Sequence, residues 1–255
     1  MFKKKYGQNF LINNHISKRI LLNENIKDQN ILEIGTGNLA LSKLIISNKP
    51  KKYLGIEIDK ELKEVYLKNK ISDKIIFNDA LQIDERKFFK NEKFSIISNL
   101  PFNISSELII KWCKIQNSFN CINNMILMFQ KELAERIIAK KNTKKYGRIT
   151  ILCNAFFSIE KKLSVSKNNF FPIPKVDAIV LNFIPHKKNK IKKNNFEKLE
   201  RITRIFFNER RKKNKKKILK NFSNEKIKKY DLESLYHLRA ENIDDEIFFK
   251  LSNIL

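Results

Sequence analysis

Short apolar runs alternate with amphipathic segments between residue 31 and about residue 140. Runs of this length are typical of strands buried in a sheet, and the segments between them carry apolar residues at the spacing of a helix. Strands and helices that alternate in this way predict βα units on a parallel sheet. The predicted strands are residues 31–34, 53–58, 74–77, 94–98 and 125–129, with helices between them that include residues 39–47 and 60–68.

Two more strands are predicted at residues 149–157 and 176–184, on either side of a loop with the sequence Phe-Phe-Pro-Ile-Pro at residues 170–174. They would close the sheet with an antiparallel pair. After Pro185 lysine becomes very frequent, yet apolar residues still recur at helical spacing, which a disordered tail would not show. The sequence therefore predicts an α/β domain over residues 1–185 and a small all-helical domain over residues 186–255.

The chain carries an excess of positive charge that favours a polyanionic partner. Its 255 residues include 53 lysines and arginines against 27 acidic residues, which gives a net charge of +26. This is more than solubility requires and points to nucleic acid. A second explanation stays open, because 44 of the 53 are lysines in a chain rich in isoleucine, asparagine and phenylalanine, as compositional drift would produce.

The positive charge is densest at residues 210–217, where seven of eight side chains are cationic. Such a run would bind RNA phosphates without reading the base sequence, and its affinity would depend steeply on salt. A solvated, lysine-rich helix face is the alternative interpretation. The predicted RNA-binding residues are Arg210, Arg211, Lys212, Lys213, Lys215, Lys216 and Lys217.

The three cysteines, Cys113, Cys121 and Cys153, have neither the spacing of a zinc site nor the even number of a disulfide framework. The three histidines are dispersed along the chain and suggest no metal cluster. The amino terminus lacks the apolar stretch of a signal peptide, and no segment has the roughly 18 uninterrupted apolar residues of a membrane span. We therefore expect a protein of the reducing cytoplasm that binds neither a metal nor a membrane.

A glycine turn follows the first predicted strand, in the sequence Ile-Leu-Glu-Ile-Gly-Thr-Gly at residues 31–37. Gly35 and Gly37 would let the backbone turn sharply and approach a ligand closely, and Glu57 at the end of the next strand would accept hydrogen bonds from ribose hydroxyls. Asp79 would bind the amine of the cofactor's adenine or, alternatively, cap a turn. A dinucleotide-binding dehydrogenase has the same pattern, so the turn predicts a ribose-bearing cofactor without separating NAD from S-adenosylmethionine.

The segment Asn99-Leu100-Pro101-Phe102 follows another predicted strand, at the edge where open α/β sheets bind ligands. The N6 amine of adenine is a poor nucleophile because its lone pair is delocalised into the ring. The Asn99 side-chain oxygen and the Leu100 carbonyl, held by Pro101, would supply two uncharged acceptors that orient the amine, and Phe102 would stack on the extruded base. A turn followed by a helix, capped by Ser105 or Ser106, is the alternative. The favoured interpretation is methyl transfer from S-adenosylmethionine without a general base.

The chain resembles the small-subunit ribosomal RNA adenine-N6 dimethyltransferases (the KsgA family) over nearly its whole length. The matching segments, in chain order, are residues 6–11 (Tyr-Gly-Gln-Asn-Phe-Leu), 33–41, 56–59 (Ile-Glu-Ile-Asp), 99–106, 130–136 (Gln-Lys-Glu-Leu-Ala-Glu-Arg), 146–148 (Tyr-Gly-Arg), 172–177 (Pro-Ile-Pro-Lys-Val-Asp) and 238–241 (Leu-Arg-Ala-Glu). So many matches in the same order exclude chance.

This resemblance implies a Rossmann-like, S-adenosylmethionine-dependent methyltransferase domain, whose residues 1–30 cover the cofactor, and a small helical carboxyl-terminal domain. It implies a monomer that dimethylates two adjacent adenosines in the 3′-terminal hairpin of 16S-type rRNA, within a small-subunit pre-ribosomal particle. Carried over by position, it implies Asn99 and Phe102 at the target base and the following cofactor residues: Asn9, Leu11, Gly35, Glu57, Asp79 and Asn99. Asn9 and Leu11 rest on the resemblance alone. Phe102 departs from the family, in which tyrosine is common, but keeps the stacking face.

Three other functions compete with this interpretation. A large-subunit rRNA adenine methylase of the antibiotic-resistance type shares the glycine turn and the Asn-Leu-Pro-Phe segment, although residues 130–136, 146–148 and 239–241 favour the small-subunit enzyme. A non-catalytic ribosome assembly factor could keep the same fold. A dehydrogenase would bind a nicotinamide cofactor and would not depend on RNA.

Overall fold

A computed structural model describes residues 7–254 and shows a seven-stranded mixed sheet with helices on both faces. The strand order is β4-β3-β2-β5-β6-β9-β7, in which the first five strands are parallel to one another and β9 pairs antiparallel with both β6 and β7. The seven strands are β2 (Asn30–Ile34), β3 (Lys52–Glu57), β4 (Ile75–Phe77), β5 (Phe94–Asn99), β6 (Ile122–Gln130), β7 (Phe157–Val165) and β9 (Ala178–Pro185). This is the predicted Rossmann-like architecture.

A second sheet has only two short strands, β1 (Phe10–Leu11) and β8 (Phe170–Phe171), which pair antiparallel. This pairing fixes the amino-terminal segment to the loop that precedes β9. The helices of the sheet domain are α1 (Asn14–Leu21), α2 (Ser42–Ser47), α3 (Lys63–Lys68), α4 (Glu85–Phe88), α5 (Ser105–Phe119), α6 (Lys131–Ile137) and α7 (Arg148–Asn154).

Strand β2 lies in the centre of the large sheet, and all five of its residues are buried. Complete burial is expected of a parallel strand that helices cover on both faces. The strand order reverses next to β2, because β3 pairs on one side of it and β5 on the other. A crevice therefore opens at the carboxyl ends of β2 and β5, where open α/β sheets bind their ligands.

The five predicted parallel strands are confirmed, but the prediction of a strand at residues 149–157 is wrong. Residues 148–154 form helix α7, and strand β7 begins only at Phe157. Residues 149–153 are all buried, because α7 packs against α5, α6 and α8. A helix covered on several sides is apolar at consecutive positions, and this pattern does not separate it from a buried strand. The other prediction, residues 176–184, corresponds to β9.

The described chain after Pro185 is helical, as predicted. Helix α8 packs against α5, α7 and α11, so that one continuous hydrophobic core joins these helices to the sheet. The rings of Phe206 and Phe248, with centroids 5.5 Å apart, lie in this core. The helices are α8 (Phe196–Phe207), α9 (Lys215–Asn221), α10 (Asn224–Lys229) and α11 (Asp245–Ile254). The domain boundary at residues 185 and 186 stays a prediction.

Residues 7–254 contain neither a membrane-spanning helix nor a cluster of metal-ligating side chains. No helix among them is both long and apolar enough to span a membrane. No group of three or more histidine, cysteine, aspartate or glutamate side chains among them is placed to hold a metal ion.

Candidate active site at the carboxyl edge of the sheet

The fold brings the predicted cofactor and base-binding residues together at one edge of the sheet. Gly35, Glu57, Asp79 and Pro101 line a cavity of about 240 Å³. A smaller adjoining cavity is lined by Gly35, Gly37, Glu57 and Asn99 together with residues 7–10. Apart from residues 7–10, these residues end or follow four different parallel strands, so the parallel topology accounts for their meeting at this edge.

The glycine turn requires glycine at both predicted positions. Gly35 and Gly37 have φ angles of +71° and +48°, in the left-handed region that residues with a side chain rarely adopt. A Cβ atom on Gly35 would lie 3.2 Å from the Pro101 ring, and one on Gly37 would lie 2.6 Å from the Phe10 ring. The turn therefore packs against the Asn-Leu-Pro-Phe segment on one side and against the amino-terminal segment on the other.

Glu57 lies at the predicted position, but its carboxylate already accepts four hydrogen bonds. Its Oε2 accepts from the Gly37 amide at 3.0 Å and from the Tyr66 hydroxyl at 3.3 Å. Its Oε1 accepts from the backbone amides of Ile58 and Asp59, at 2.9 and 3.0 Å. Burial raises the pKa of the Glu57 carboxyl above its usual value, and these donors act in the opposite direction.

Two buried side chains beside the turn were missed by the sequence analysis. Tyr66, fully buried on α3, accepts a hydrogen bond from the Thr36 hydroxyl at 3.0 Å. Glu33, buried within β2, accepts one from the Tyr53 hydroxyl at 2.7 Å, and burial raises the pKa of Glu33 to about 8. The only sequence signal for Tyr66 was its apolar position in a predicted helix. Glu33 was interpreted only as part of the segment that contains the glycine turn.

Asn99 ends strand β5 with one side-chain atom bound and the other free. Its Nδ2 donates to the Asn9 carbonyl at 3.0 Å, which fixes the orientation of the carboxamide. Its Oδ1 is buried and accepts no hydrogen bond from the described residues. A buried acceptor without a partner costs on the order of 1–3 kcal/mol, so such an atom is rare unless a ligand completes it. An exocyclic amine of a base is a donor of the required kind.

The three residues after Asn99 have different environments. Leu100 is buried, so that only its backbone is suited to contact a substrate. Pro101 packs against Gly35, as described above. The half-buried ring of Phe102 meets the edge of the Phe170 ring, with centroids 6.4 Å apart. The Asn-Leu-Pro-Phe segment is therefore held between the glycine turn and the loop that precedes β9.

The chain matches the family model of ribosomal RNA adenine dimethylases over residues 1–255. It belongs to this family. It is 38% identical over 253 residues to ribosomal RNA small subunit methyltransferase A of Pelagibacter ubique, with 98% of this chain and 95% of the relative covered. The corresponding protein of Malacoplasma penetrans is 40% identical over 252 residues, with 97% and 90% covered.

Solved structures agree with the fold. A dimethyladenosine transferase from Plasmodium falciparum superposes with a TM-score of 0.79 at 26% identity, with 95% of both chains covered. The 23S rRNA methyltransferase ErmE has a TM-score of 0.68 at 21% identity, with 96% of this chain and 98% of the other covered, which supports the fold alone. Membership of the dimethylase family confirms the resemblance and removes the dehydrogenase alternative.

Ribosomal RNA adenine dimethylases depend on S-adenosylmethionine, and the described residues fit this donor. The glycine turn leaves a cradle that a Cβ atom on Gly35 or Gly37 would fill. Carboxylates at Glu57 and Asp79 border the larger cavity, where hydroxyl and amine groups of a nucleoside would find acceptors. The positions of the predicted cofactor residues suit the chemistry of this methyl donor. The role of each residue in binding it stays a prediction.

The remaining predicted cofactor residues of this dimethylase are placed differently. Asp79 lines the larger cavity, and its Oδ1 also accepts from the Leu81 amide at 2.9 Å, so it caps a turn while facing the cavity. Asn9 reaches the site through the carbonyl that binds Asn99. Leu11 is buried, its carbonyl accepts from Asn38 at 2.9 Å, and it lines neither of the two cavities described above. Tyr6, the first residue of the amino-terminal motif, lies outside the described residues.

The basic run at residues 210–217 lines neither cavity, and its cations differ in their partners. Arg210 pairs with Glu241 at 2.8 Å and donates to the Thr143 carbonyl. Lys217 is nearly buried, and its ammonium donates to the Phe206 and Glu209 carbonyls at 2.5 and 3.1 Å. The other five cations are exposed: Arg211, Lys212, Lys213, Lys215 and Lys216. Of these, Lys212 pairs with Glu209 at 2.6 Å and Lys215 lies over the Tyr236 ring.

Proposed function

We propose that this chain dimethylates the N6 amines of two adjacent adenosines in the 3′-terminal hairpin of 16S-type rRNA, during biogenesis of the small ribosomal subunit. The observation that carries the proposal is the buried Oδ1 of Asn99, which accepts no hydrogen bond from the described residues and lies beside the glycine turn. The names and identities of the curated relatives support the small-subunit substrate. Large-subunit rRNA would be expected of a resistance-type methylase.

Asn99 would act by orienting the amine that receives the methyl group. Its Nδ2 donates to the Asn9 carbonyl, which fixes the carboxamide and leaves Oδ1 available as an acceptor. S-adenosylmethionine, when bound, would supply a methyl group attached to a sulfonium. Once the methyl group is transferred, the sulfur leaves as a neutral thioether, so it needs no acid. An uncharged acceptor orients the adenine amine towards this methyl group without attracting a proton, and the reaction gains mainly from positioning. The nitrogen becomes cationic as it takes the methyl group and then releases a proton to water, so no side chain is required as a general base.

We propose that the substrate is met inside a pre-ribosomal particle in the cytoplasm and that the chain acts as a monomer. The exposed cations Arg211, Lys212, Lys213, Lys215 and Lys216 are suited to bind the phosphate backbone around the target. We retain residues 1–185 as the methyltransferase domain and residues 186–255 as the domain that carries these cations. A Lys217 contribution to RNA binding is not supported, because its ammonium binds backbone carbonyls.

The proposal is tested by incubating the full chain with labelled methyl donor and undermethylated small subunits, naked 16S rRNA or large subunits. Nucleosides are then analysed by mass spectrometry. We expect labelled N6,N6-dimethyladenosine from the small-subunit sample only. Label in large-subunit RNA would favour the resistance-type enzyme, and failure to bind S-adenosylmethionine by calorimetry would favour a non-catalytic assembly factor.

A further inference from the structure

The hydroxyl of Tyr66 lies between two acceptors at the same distance. It is 3.3 Å from the Gly37 carbonyl and 3.3 Å from Oε2 of Glu57. The Thr36 hydroxyl donates to the Tyr66 oxygen at 3.0 Å. A phenol has a single proton to donate. Tyr66 can therefore satisfy Gly37 or Glu57 at any moment, but not both.

The second acceptor, the Glu57 carboxylate, has no room for another donor while Tyr66 binds it. A carboxylate offers about four acceptor positions, and these are occupied by Tyr66 and by the amides of Gly37, Ile58 and Asp59. The three amides belong to the backbone and are fixed by the turn and by the end of β3. Only the Tyr66 hydroxyl can rotate away without any movement of the main chain.

We propose that Tyr66 is a positioning residue that exchanges its acceptor when the cofactor binds. In the free chain its hydroxyl donates to Glu57, and in the bound chain it donates to the Gly37 carbonyl, so that a ribose hydroxyl takes its place on Oε2. Both arrangements leave the Tyr66 proton and the carboxylate paired, which matters in a site where an unpaired buried group is costly. This inference rests on the proposed function only in requiring a ribose-bearing ligand at Glu57.

The exchange predicts a specific coupling between Tyr66 and the ribose hydroxyls. When a ligand lacks these hydroxyls, Tyr66 can return to Glu57 and fill the vacant position. In Tyr66→Phe nothing refills it, so the loss of affinity on removing the hydroxyls should be greater in the variant. A tyrosine that held the turn in one fixed arrangement would give the same loss in both proteins.

The experiment measures the affinities of the full chain for S-adenosylhomocysteine and for its 2′,3′-dideoxy analogue by calorimetry. We expect the ratio of the two dissociation constants to be roughly threefold to tenfold larger in Tyr66→Phe than in the parent chain, as for the loss of one hydrogen bond. Tyr53→Phe is the matched control, because it removes a buried phenol that donates to a different carboxyl, Glu33, at 2.7 Å. Its ratio should equal that of the parent.

An unchanged ratio in Tyr66→Phe would overturn the exchange while leaving the proposed function intact. If neither ligand bound the parent chain, the proposed function would fail as well. A second measurement does not depend on the variant folding: 3-fluorotyrosine is placed at position 66 alone and followed by fluorine NMR. S-adenosylhomocysteine should shift this signal more than the dideoxy analogue does, and equal shifts would contradict the exchange.

Discussion

Short motifs predicted both the pocket at the carboxyl edge of the sheet and the basic run at residues 210–217. The two regions differ in how many of their predicted side chains are placed to bind a ligand. In the pocket, Glu57 and Asn99 lie where the ends of β3 and β5 place them, and both border a cavity. In the basic run, Arg210 pairs with Glu241 and Lys217 binds the end of α8. Lys212 also pairs with Glu209 at 2.6 Å, and the Lys215 ammonium lies 5.7 Å from the Tyr236 ring centroid. Four of the seven cations therefore interact with other residues of the protein.

The difference shows what a motif can specify. In the pocket the backbone sets the position of each group, and the backbone path follows from the order of strands and turns. A lysine side chain is long and flexible, so the partner it finds depends on which carbonyls or carboxylates the fold places within reach. Charge density alone therefore does not show which cations remain free for RNA.

The largest effect is expected in the pocket, from Asn99→Ala. Methyl transfer should fall on the order of 10²–10³-fold, because the amine loses the acceptor that orients it. The affinity for RNA should stay nearly the same. Single-turnover kinetics and filter binding on the same preparations separate the two quantities.

Asn48→Ala provides the control for Asn99→Ala. Asn48 is an exposed asparagine that only donates to the Leu44 carbonyl at 2.8 Å, so its loss should leave transfer at the parent rate. A parallel loss of RNA binding in Asn99→Ala would contradict the assignment of Asn99 to the transfer step.

The next effect distinguishes the two kinds of cation in the basic run. Lys217→Met should lower the free energy of unfolding by about 1–3 kcal/mol, because the carbonyls of Phe206 and Glu209 lose their donor. Urea denaturation measures this change. Lys216→Met, at an exposed neighbour, should leave the unfolding free energy within about 0.5 kcal/mol of the parent. Equal effects of the two substitutions would show that Lys217 is solvated like the rest of the run.

A pH effect on stability is expected beneath the pocket, at Glu33. Its pKa of about 8 in the folded chain lies above the usual value, because burial penalises the charged form. The folded chain therefore binds the proton more tightly than the unfolded chain, and stability should fall as the pH rises towards 8, by up to about 1.4 kcal/mol per pH unit. Glu33→Gln should flatten this slope in urea titrations between pH 5 and pH 8. The exposed Glu64→Gln should retain it.

The smallest effect per residue is expected from the exposed cations of the basic run. Replacing Arg211, Lys213 and Lys216 by glutamine should weaken binding to small-subunit RNA and reduce the slope of log affinity against log salt by about 1 per residue. The control replaces Lys187, Lys188 and Lys193, which are equally exposed but lie outside the run. An unchanged slope in the first variant would show that the run is a solvated surface that does not bind RNA. The basic run would then differ from the pocket in having no ligand at all.

Much of the fold was predictable from the sequence. The one wrong element, the strand predicted at residues 149–157, has a physical cause. The parallel strands could be predicted because each is a short apolar run between polar turns. Helix α7 could not, because burial on several sides removes the periodicity that marks a helix. Tyr66 was missed for a related reason: a buried tyrosine looks like any core position until its hydroxyl partners are known.

The sequence by itself determined the order of strands and helices, the glycine turn at residues 35–37 and the position of Asn99 at the end of a strand, because these depend on neighbours along the chain. Only the tertiary structure decided that Oδ1 of Asn99 is buried without a described partner, that Tyr66 lies between Gly37 and Glu57, and that Lys217 binds α8. Each of these features depends on residues that are not adjacent in sequence. Such distances are set by packing, which no local pattern records.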